Sequence, residues 1–424
     1  MRNFRLWLAA IVVAGAAIRV VQTLLYAPWT PEIFDDPLYY RTLASLIAQG
    51  EGFVRPAEAL IEGRFLPTAH RPPLYPLVLA GVTKAGGTSP DALRLVGVAS
   101  GAGSIWVLGL LGRKLAGPRA GLLAAGLAAV YPTLVAADGA LMTESLYGCL
   151  AALVLLAAYR LFEAPGPGRA IVLGILAGLA ALTRAEGLLL LVLLVVPLLR
   201  RPAGRRAAVI VGLAFVAVLA PWTTRNWIVF DRPVLVATEG GETIAGANCR
   251  SSYYGDLIGS WDNDCVRRGR GDNEAAEMDA AGRDGIRYAH DHLDRVPLVA
   301  VVRLGRTWGF YDPLHTPAGR AERVVRLGFA MYIVLLPLAL YGFVVLRRRH
   351  VRVWILMTPL IAVSVTTLLA YGNVRLRHSA ELSLVVLAAA ALDVLLPGDQ
   401  NTSQRRQARR THEYGSRVEA GGGS

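Results

Sequence analysis

Along this chain the apolar positions run in long stretches with few charges, beginning near Leu6, Ala92, Gly117, Leu141, Ala170, Gly187, Ala207, Val325, Val353 and Ser379. A helix of roughly 20 such residues crosses a bilayer. The pattern therefore predicts an all-α polytopic membrane protein with about ten transmembrane helices, joined by interfacial helices and a mixed outer loop. One further apolar run, PLYPLVLAGVTKAGG at 73–87, is short and begins with prolines. Counted as a span it would invert every downstream loop, so it is expected to lie along the interface. Composition agrees, with 54% of residues hydrophobic and 18% charged, more apolar than the core-and-surface mixture of a soluble domain.

Charge then orients the bundle. Basic clusters fall in alternate connections: Arg113/Lys114/Arg119, Arg160/Arg169, Arg200/Arg201/Arg205/Arg206 and Arg347/Arg348/Arg349/Arg352. Arg2/Arg5 and the tail residues Arg405, Arg406, Arg409 and Arg410 fall on the same side. The positive-inside rule places that side, with both termini, in the cytoplasm of a plasma-membrane protein. Topology thereby accounts for the formal net charge of +13, and nucleic acid is not needed as a partner. The first run is flanked by arginines like a signal peptide, but Tyr26, Pro28 and Trp29 follow it in place of a small-residue cleavage site. It reads as a retained first helix. The expected division is a membrane unit over 1–397, with outer loops at 27–91 and 223–324, and a disordered basic cytoplasmic tail over 398–424.

Chemistry gathers on the other, outward side. In PEIFDDPLYYRTLASLIAQG, residues 31–50, Pro37 suits a first helical position and Asp36 the cap before it. Tyr39, Leu43, Leu46 and Ile47 then share one face and Gly50 closes an amphipathic helix. Asp35 is left without a structural role. The same loop ends in AHRPPLYP, 69–76, where Pro72 and Pro73 hold His70 and Arg71 at the membrane boundary. A carboxylate, an imidazole and a guanidinium together can bind a metal or a phosphate and remove a proton.

Other outward ends repeat the theme. Asp138 stands at a turn with Glu144 one to two turns into the next helix; Arg184 and Glu186 lie between two spans; Arg225 and Asn226 follow another; Arg375, Arg377 and His378 precede the last. Singly, each arginine is explained by a neighbouring acid or by reaching to headgroups. Four such places on one side point to a common anionic ligand, most simply a phosphate attached to lipid. The stretch TEGGETIAGANCRSSYYGDLIGSWDNDC, 238–265, is rich in glycine and aromatics, a composition suited to carbohydrate. Its Cys249 and Cys265 are expected to pair in an oxidising compartment, whereas Cys149 lies in an apolar helix. LVAVVRLGRTWGFYDP, 298–313, reads as a second interfacial helix with Trp308, Phe310 and Tyr311 at the boundary. No glycine-rich phosphate loop in a strand-to-helix setting occurs, so no nucleotide is expected.

At these residues the chain resembles the integral-membrane glycosyltransferases of the C-type fold, in particular bacterial relatives of the dolichyl-phosphate-mannose protein mannosyltransferases and the lipid A aminoarabinose transferase. DDPLYY, RPPLYP, MTESL, LTRAEG, PWTTRN, TEGGE and RLRHSAEL stand in family order between about residues 6 and 396. The resemblance implies a glycosyltransferase of the cell envelope that moves a hexosyl or pentosyl group from a polyprenyl-phosphate donor to an acceptor hydroxyl, with inversion. It implies Asp35 as the catalytic carboxylate, followed by Asp36 as second acid. Tyr39, His70, Arg71, Glu144, Arg184, Arg225 and Arg375 fall to the donor and its lipid phosphate. A divalent metal ion is the cofactor it admits, with Asp35 and His70 as ligands, although several relatives carry Glu where this chain has His70. The acceptor is left open as glycan, lipid or protein. The competing reading is a transporter or flippase of a lipid-linked or anionic solute, since many helices and charges suit that class. Against it, the two halves show no internal repeat.

Overall fold

The computed structural model describes residues 2–26, 36–200, 202–314 and 322–396. Asp35 and the 398–424 tail lie outside the described residues. The first apolar run is helix α1, Arg2–Val21, prolonged by a π-helical turn over Gln22–Tyr26. Three short helices follow: α2 (Asp36–Gln49), α3 (Pro56–Ile61) and α4 (Leu74–Lys84). Gly50 ends α2 with φ 95°, a conformation that side chains with a Cβ rarely adopt. With 11 residues α4 is too short to cross a bilayer. It packs on α2 instead, Tyr40 meeting Tyr75 edge to face at 5.1 Å.

Helix α5 (Pro90–Ala116) opens on Ser89, whose Oγ accepts from the Ala92 N–H at 3.2 Å. Helices α6 (Pro118–Val130) and α7 (Pro132–Asp138) are one apolar run broken by 61°. Pro132 explains the break, because it lacks an N–H and pushes Tyr131 to extended backbone, seen at ψ 112°. Four further helices follow: α8 (Glu144–Glu163), α9 (Pro167–Ala181), α10 (Gly187–Leu199) and α11 (Pro202–Phe230). The long connecting segment holds α12 (Gly240–Ala247), α13 (Arg250–Tyr253), α14 (Glu274–Asp291) and α15 (Val296–Trp308). Helices α16 (Glu322–Arg348), α17 (Trp354–Leu369) and α18 (His378–Leu395) close the chain.

All ten predicted apolar runs are helical. Helices α1, α5, α8, α11, α16 and α18 are long and apolar enough to span, and the bent α6–α7 pair adds a seventh candidate. The remaining three, α9, α10 and α17, are apolar but only 15, 13 and 16 residues long. The chain is a multi-span, all-α membrane protein.

Helices α8 and α18 form its middle, 78% buried over their spans against 22% for α1. Close approach depends on small residues: at Gly342 of α16 a Cβ would lie 1.8 Å from the Leu387 carbonyl oxygen of α18. Asp138, expected at an outward turn, belongs to this core. Its Oδ2 accepts from Arg19 Nε at 2.6 Å, while the Arg19 Nη atoms donate to the carbonyls of Gly15, Ala128 and Ala129. A buried ion pair persists only when its remaining hydrogen-bonding groups are also matched, which these carbonyls accomplish. Arg377 and Glu381 form a second such pair at 2.7 Å.

Candidate functional site

A cavity of about 1630 Å³ lies where ends of the bundle helices meet the shorter helices. Its floor is assembled from helix ends, where a charge reaches polar surroundings without entering hydrocarbon. Asp36 is the first residue of α2 and Glu144 the first of α8, nearer the helix start than expected because residues 139–143 form a turn. Arg184 lies between α9 and α10, Arg375 in a 3₁₀ turn (Val374–Arg377) before α18, and Arg71 behind the two prolines that lead into α4.

These side chains form one file of alternating charge. Glu239 pairs with Arg71, whose Nη2 donates to Asp36 Oδ1 at 2.7 Å. Arg375 Nη2 lies 3.4 Å from Asp36 Oδ2 and 2.9 Å from Glu144 Oε1. Arg184 lies 3.7 Å from the same Glu144 oxygen and donates to Glu186 Oε1 at 3.0 Å. Glu144 and Glu186 are the deepest members, 3% and 8% exposed, while Asp36 and Glu239 are about as exposed as Arg71, Arg184 and Arg375 at 26%, 21% and 29%. The guanidinium groups and their carboxylate partners line the cavity together.

Asp36 does not act as the expected cap. Both of its oxygens are held by guanidinium groups. Burial raises its carboxyl pKa, but Arg71 and Arg375 more than offset this and hold it below the ordinary range. Asp36 is therefore an anion that fixes two arginines, and a poor proton acceptor at neutral pH.

His70 lies at the cavity wall with its ring 5.8 Å from that of Tyr39. Its carbonyl accepts from the Glu239 N–H at 3.3 Å, and the preceding Ala69 carbonyl accepts from Thr238 N–H at 2.9 Å, which ties the two short segments side by side. Burial first, and Arg71 second, push its pKa from 6.5 down to about 3. The sign of the consequence follows. Below pH 6.5 the unfolded chain takes up a proton that the folded chain refuses, so stability falls as pH drops from 6.5 toward about 3. In His70→Asn the unfolding free energy should lose this acid-side slope, up to about 1.4 kcal/mol per pH unit. Denaturant titrations of both proteins across that window check it, and identical slopes would contradict a neutral buried His70.

Arg225 is not brought into the floor. Helix α11 continues through Phe230, beyond the expected loop boundary at 223, and Arg225 sits inside it. Its Nη atoms donate to the Thr68 and Phe53 carbonyls at 2.9 and 3.0 Å, and the guanidinium lies 5.1 Å over the Trp222 ring. It braces the segment between α2 and α4 from behind and is absent from the cavity lining. The donor role expected for it is corrected accordingly.

Glu274, at the start of α14, carried no signal in the sequence. Its carboxylate accepts from Thr68 Oγ1 at 2.6 Å, Ala69 N at 2.8 Å and Thr238 Oγ1 at 2.8 Å, with Arg55 Nε 3.5 Å away. It thus clamps the residues just before His70–Arg71 to those just before Glu239. Glu274→Ala strands three donors and is expected to cost about 3 kcal/mol or more of stability. Glu274→Gln, which keeps one acceptor oxygen, should recover part of this. Unfolding in detergent measures both, and wild-type stability in the alanine variant would remove the clamp.

Cys249 and Cys265 form a disulfide. They also lie with Asp262 in the one group of three potential metal donors found among the described residues. Sulfurs joined to each other are not thiolate ligands, so that group offers a single carboxylate. On the cavity wall, His70 Nε2 and Glu242 Oε2 are 3.9 Å apart, two donors of suitable chemistry for a divalent ion.

Residues 70–224 match the family model described as dolichyl-phosphate-mannose-protein mannosyltransferase. Among solved structures, the archaeal oligosaccharyltransferase AglB from Archaeoglobus fulgidus, in complex with an inhibitory peptide and a dolichol-phosphate, superposes with a TM-score of 0.56 at 17% identity, over 95% of this chain and 52% of that one. The Archaeoglobus fulgidus oligosaccharyltransferase in complex with Zn and sulfate gives 0.50 at 14% identity, over 91% and 49%. ArnT from Cupriavidus metallidurans, bound to undecaprenyl phosphate, gives 0.47 at 16% identity, over 91% and 77%. The chain thus spans about half the length of the oligosaccharyltransferase. Comparison with curated proteins gives no match. The chain has the C-type fold of membrane glycosyltransferases and, over residues 70–224, the sequence pattern of the dolichyl-phosphate-mannose-protein mannosyltransferase family.

Proposed function

We propose that the protein transfers a sugar, hexose or pentose, from a polyprenyl-phosphate carrier to an acceptor hydroxyl on the extracytoplasmic face of the plasma membrane, with both termini in the cytoplasm. The observation that carries this is the file of guanidinium groups from residues 71, 184 and 375, brought from distant segments onto one cavity floor at the helix ends. A lipid-linked phosphate would bring its charge to such helix ends with its chain in the bilayer, and bidentate guanidinium groups suit its oxygens. Arg71 Nε is buried with no partner among the described residues, a donor available to a ligand.

The reaction is written as a direct displacement. Asp35 takes the proton of the acceptor hydroxyl, the oxygen attacks the anomeric carbon, and the bond from that carbon to the phosphate oxygen breaks on the opposite face. Arg71, Arg184 and Arg375 stabilise the charge that grows on the departing polyprenyl phosphate. Asp36 and Glu144 hold those arginines in place, and Tyr39 supports the wall beside His70. A divalent ion, the cofactor the resemblance admits, would be held by Asp35 and His70 and would add positive charge beside the leaving group.

The test uses the purified chain in vesicles, polyprenyl-phosphate donors labelled in the sugar, and a cell-envelope extract as acceptor source. Label should move into a glycosidic product and release polyprenyl phosphate. Movement of intact donor across the vesicle without bond formation would replace this reading with the transporter. The charges at the helix ends, rather than at mid-span, favour the transferase.

A further inference from the structure

We propose that the acceptor is a neutral carbohydrate chain, bound on the cavity wall formed by the disulfide-tied segment with Trp261 as its platform. The inference rests on the transferase reading above and names its second substrate by chemical class.

The wall is a joined patch of the Trp261 ring, with the Tyr371 ring 6.5 Å from it, and three planar polar groups. Trp261 Nε1 donates to the Glu242 carbonyl at 3.3 Å, while Arg268 Nη2 donates to Glu242 Oε2 at 3.2 Å and to Asn263 Oδ1 at 3.0 Å. The patch is held from behind. A Cβ at Gly246 would lie 2.3 Å from Trp261 Nε1, so glycine there lets the indole seat against α12. Val266 packs with Ala245 and Ala281 beneath it, and the Cys249–Cys265 disulfide closes the segment that carries the ring. Trp261, Asn263 and Arg268 all line the same cavity as the charged floor, and Glu242 connects the two, 3.9 Å from His70 and three residues beyond Glu239.

Charge and backbone argue for the class. Arg268 is matched by Glu242, and Arg55, which also lines the cavity, by Glu58 and Glu277, each at 3.3 Å or less. Among the described residues these pairings leave no cationic surplus on this wall for a phosphorylated headgroup. Strand addition is one way to capture an extended peptide, and the β-pairing among the described residues is one isolated bridge, Val54–Pro67, which offers no sheet edge for it. A sugar ring needs neither. Its C–H face packs on an indole, and its neighbouring hydroxyls both donate and accept, which suits an amide, a carboxylate and a guanidinium set side by side.

The test titrates the full chain in nanodiscs with three probes: short neutral oligosaccharides of mannose, glucose, galactose and arabinose, a Ser/Thr peptide, and a phosphorylated disaccharide. Binding is read by saturation-transfer NMR, and binding of a polyprenyl phosphate is read on the same samples. A neutral oligosaccharide should bind, Trp261→Ala should weaken it about tenfold or more, and Trp261→Phe should keep most of the affinity. Asn263→Ala, at an exposed position, should weaken it less and guards against misfolding of the tryptophan variant. Binding of the peptide or the phosphorylated disaccharide alone, or equal oligosaccharide affinity in wild type and Trp261→Ala, would overturn the proposal. Oligosaccharide binding without polyprenyl-phosphate binding would support this wall and sink the donor reading of the floor.

Discussion

Arg375→Ala is expected to lower the transfer rate by about 10²- to 10³-fold, the range for losing one preorganised charge at a developing anion. The size of the effect comes from the position of Arg375 in the file. It bridges Asp36 and Glu144, and Glu144 is 3% exposed with its other guanidinium neighbour at 3.7 Å. Removing the bridge leaves a buried carboxylate under-compensated and frees Asp36 from one of its two anchors, so Arg71 is displaced as well. Lysine should restore little, because a single ammonium cannot span two carboxylates and a phosphate as a planar fork does. The measurement is kcat and donor KM in proteoliposomes, with thermal unfolding as a control. A variant that is as active as wild type would show that the floor positions something other than the leaving phosphate.

Asp35→Asn is expected to abolish transfer, a loss of about 10³-fold or more for removing a general base, while polyprenyl phosphate still binds. The argument is by contrast with its neighbour. Asp36 has both oxygens committed to Arg71 and Arg375 and its pKa held low, so the proposed mechanism uses it as an anchor and assigns the proton to Asp35. Asp36→Asn should therefore fail differently, losing lipid-phosphate affinity together with rate because two arginines lose their counterion. Kinetics and lipid binding on the two asparagine variants separate the roles. Swapped phenotypes would exchange the base and the anchor.

The candidate site was legible in part. Arg71, Glu144, Arg184 and Arg375 each looked out of place in the sequence, as charges at outward span ends that the positive-inside bias does not explain. They do share one cavity. Arg225 met the same criterion and is elsewhere, because α11 runs through Phe230 and turns the guanidinium toward backbone carbonyls. An arginine serving a ligand and one bracing a loop are alike in sequence. Glu274 was invisible for a related reason: its partners are Thr68, Ala69 and Thr238, and nothing local marks an acid that closes contacts over such separations.

The sequence by itself determined the membrane class, the ten apolar helical runs and which helix ends carry charge, because hydrocarbon tolerates only long, internally hydrogen-bonded apolar helices and confines charge to their ends. The 61° break at Pro132 was not anticipated, although its cause, a missing N–H, is local. Tertiary structure alone decided which charges meet. The pairing of Asp36 with both Arg71 and Arg375 and the withdrawal of Asp138 to Arg19 depend on how segments far apart in the chain pack. Such contacts are set by three-dimensional proximity at short range, and no period or motif along one dimension encodes it.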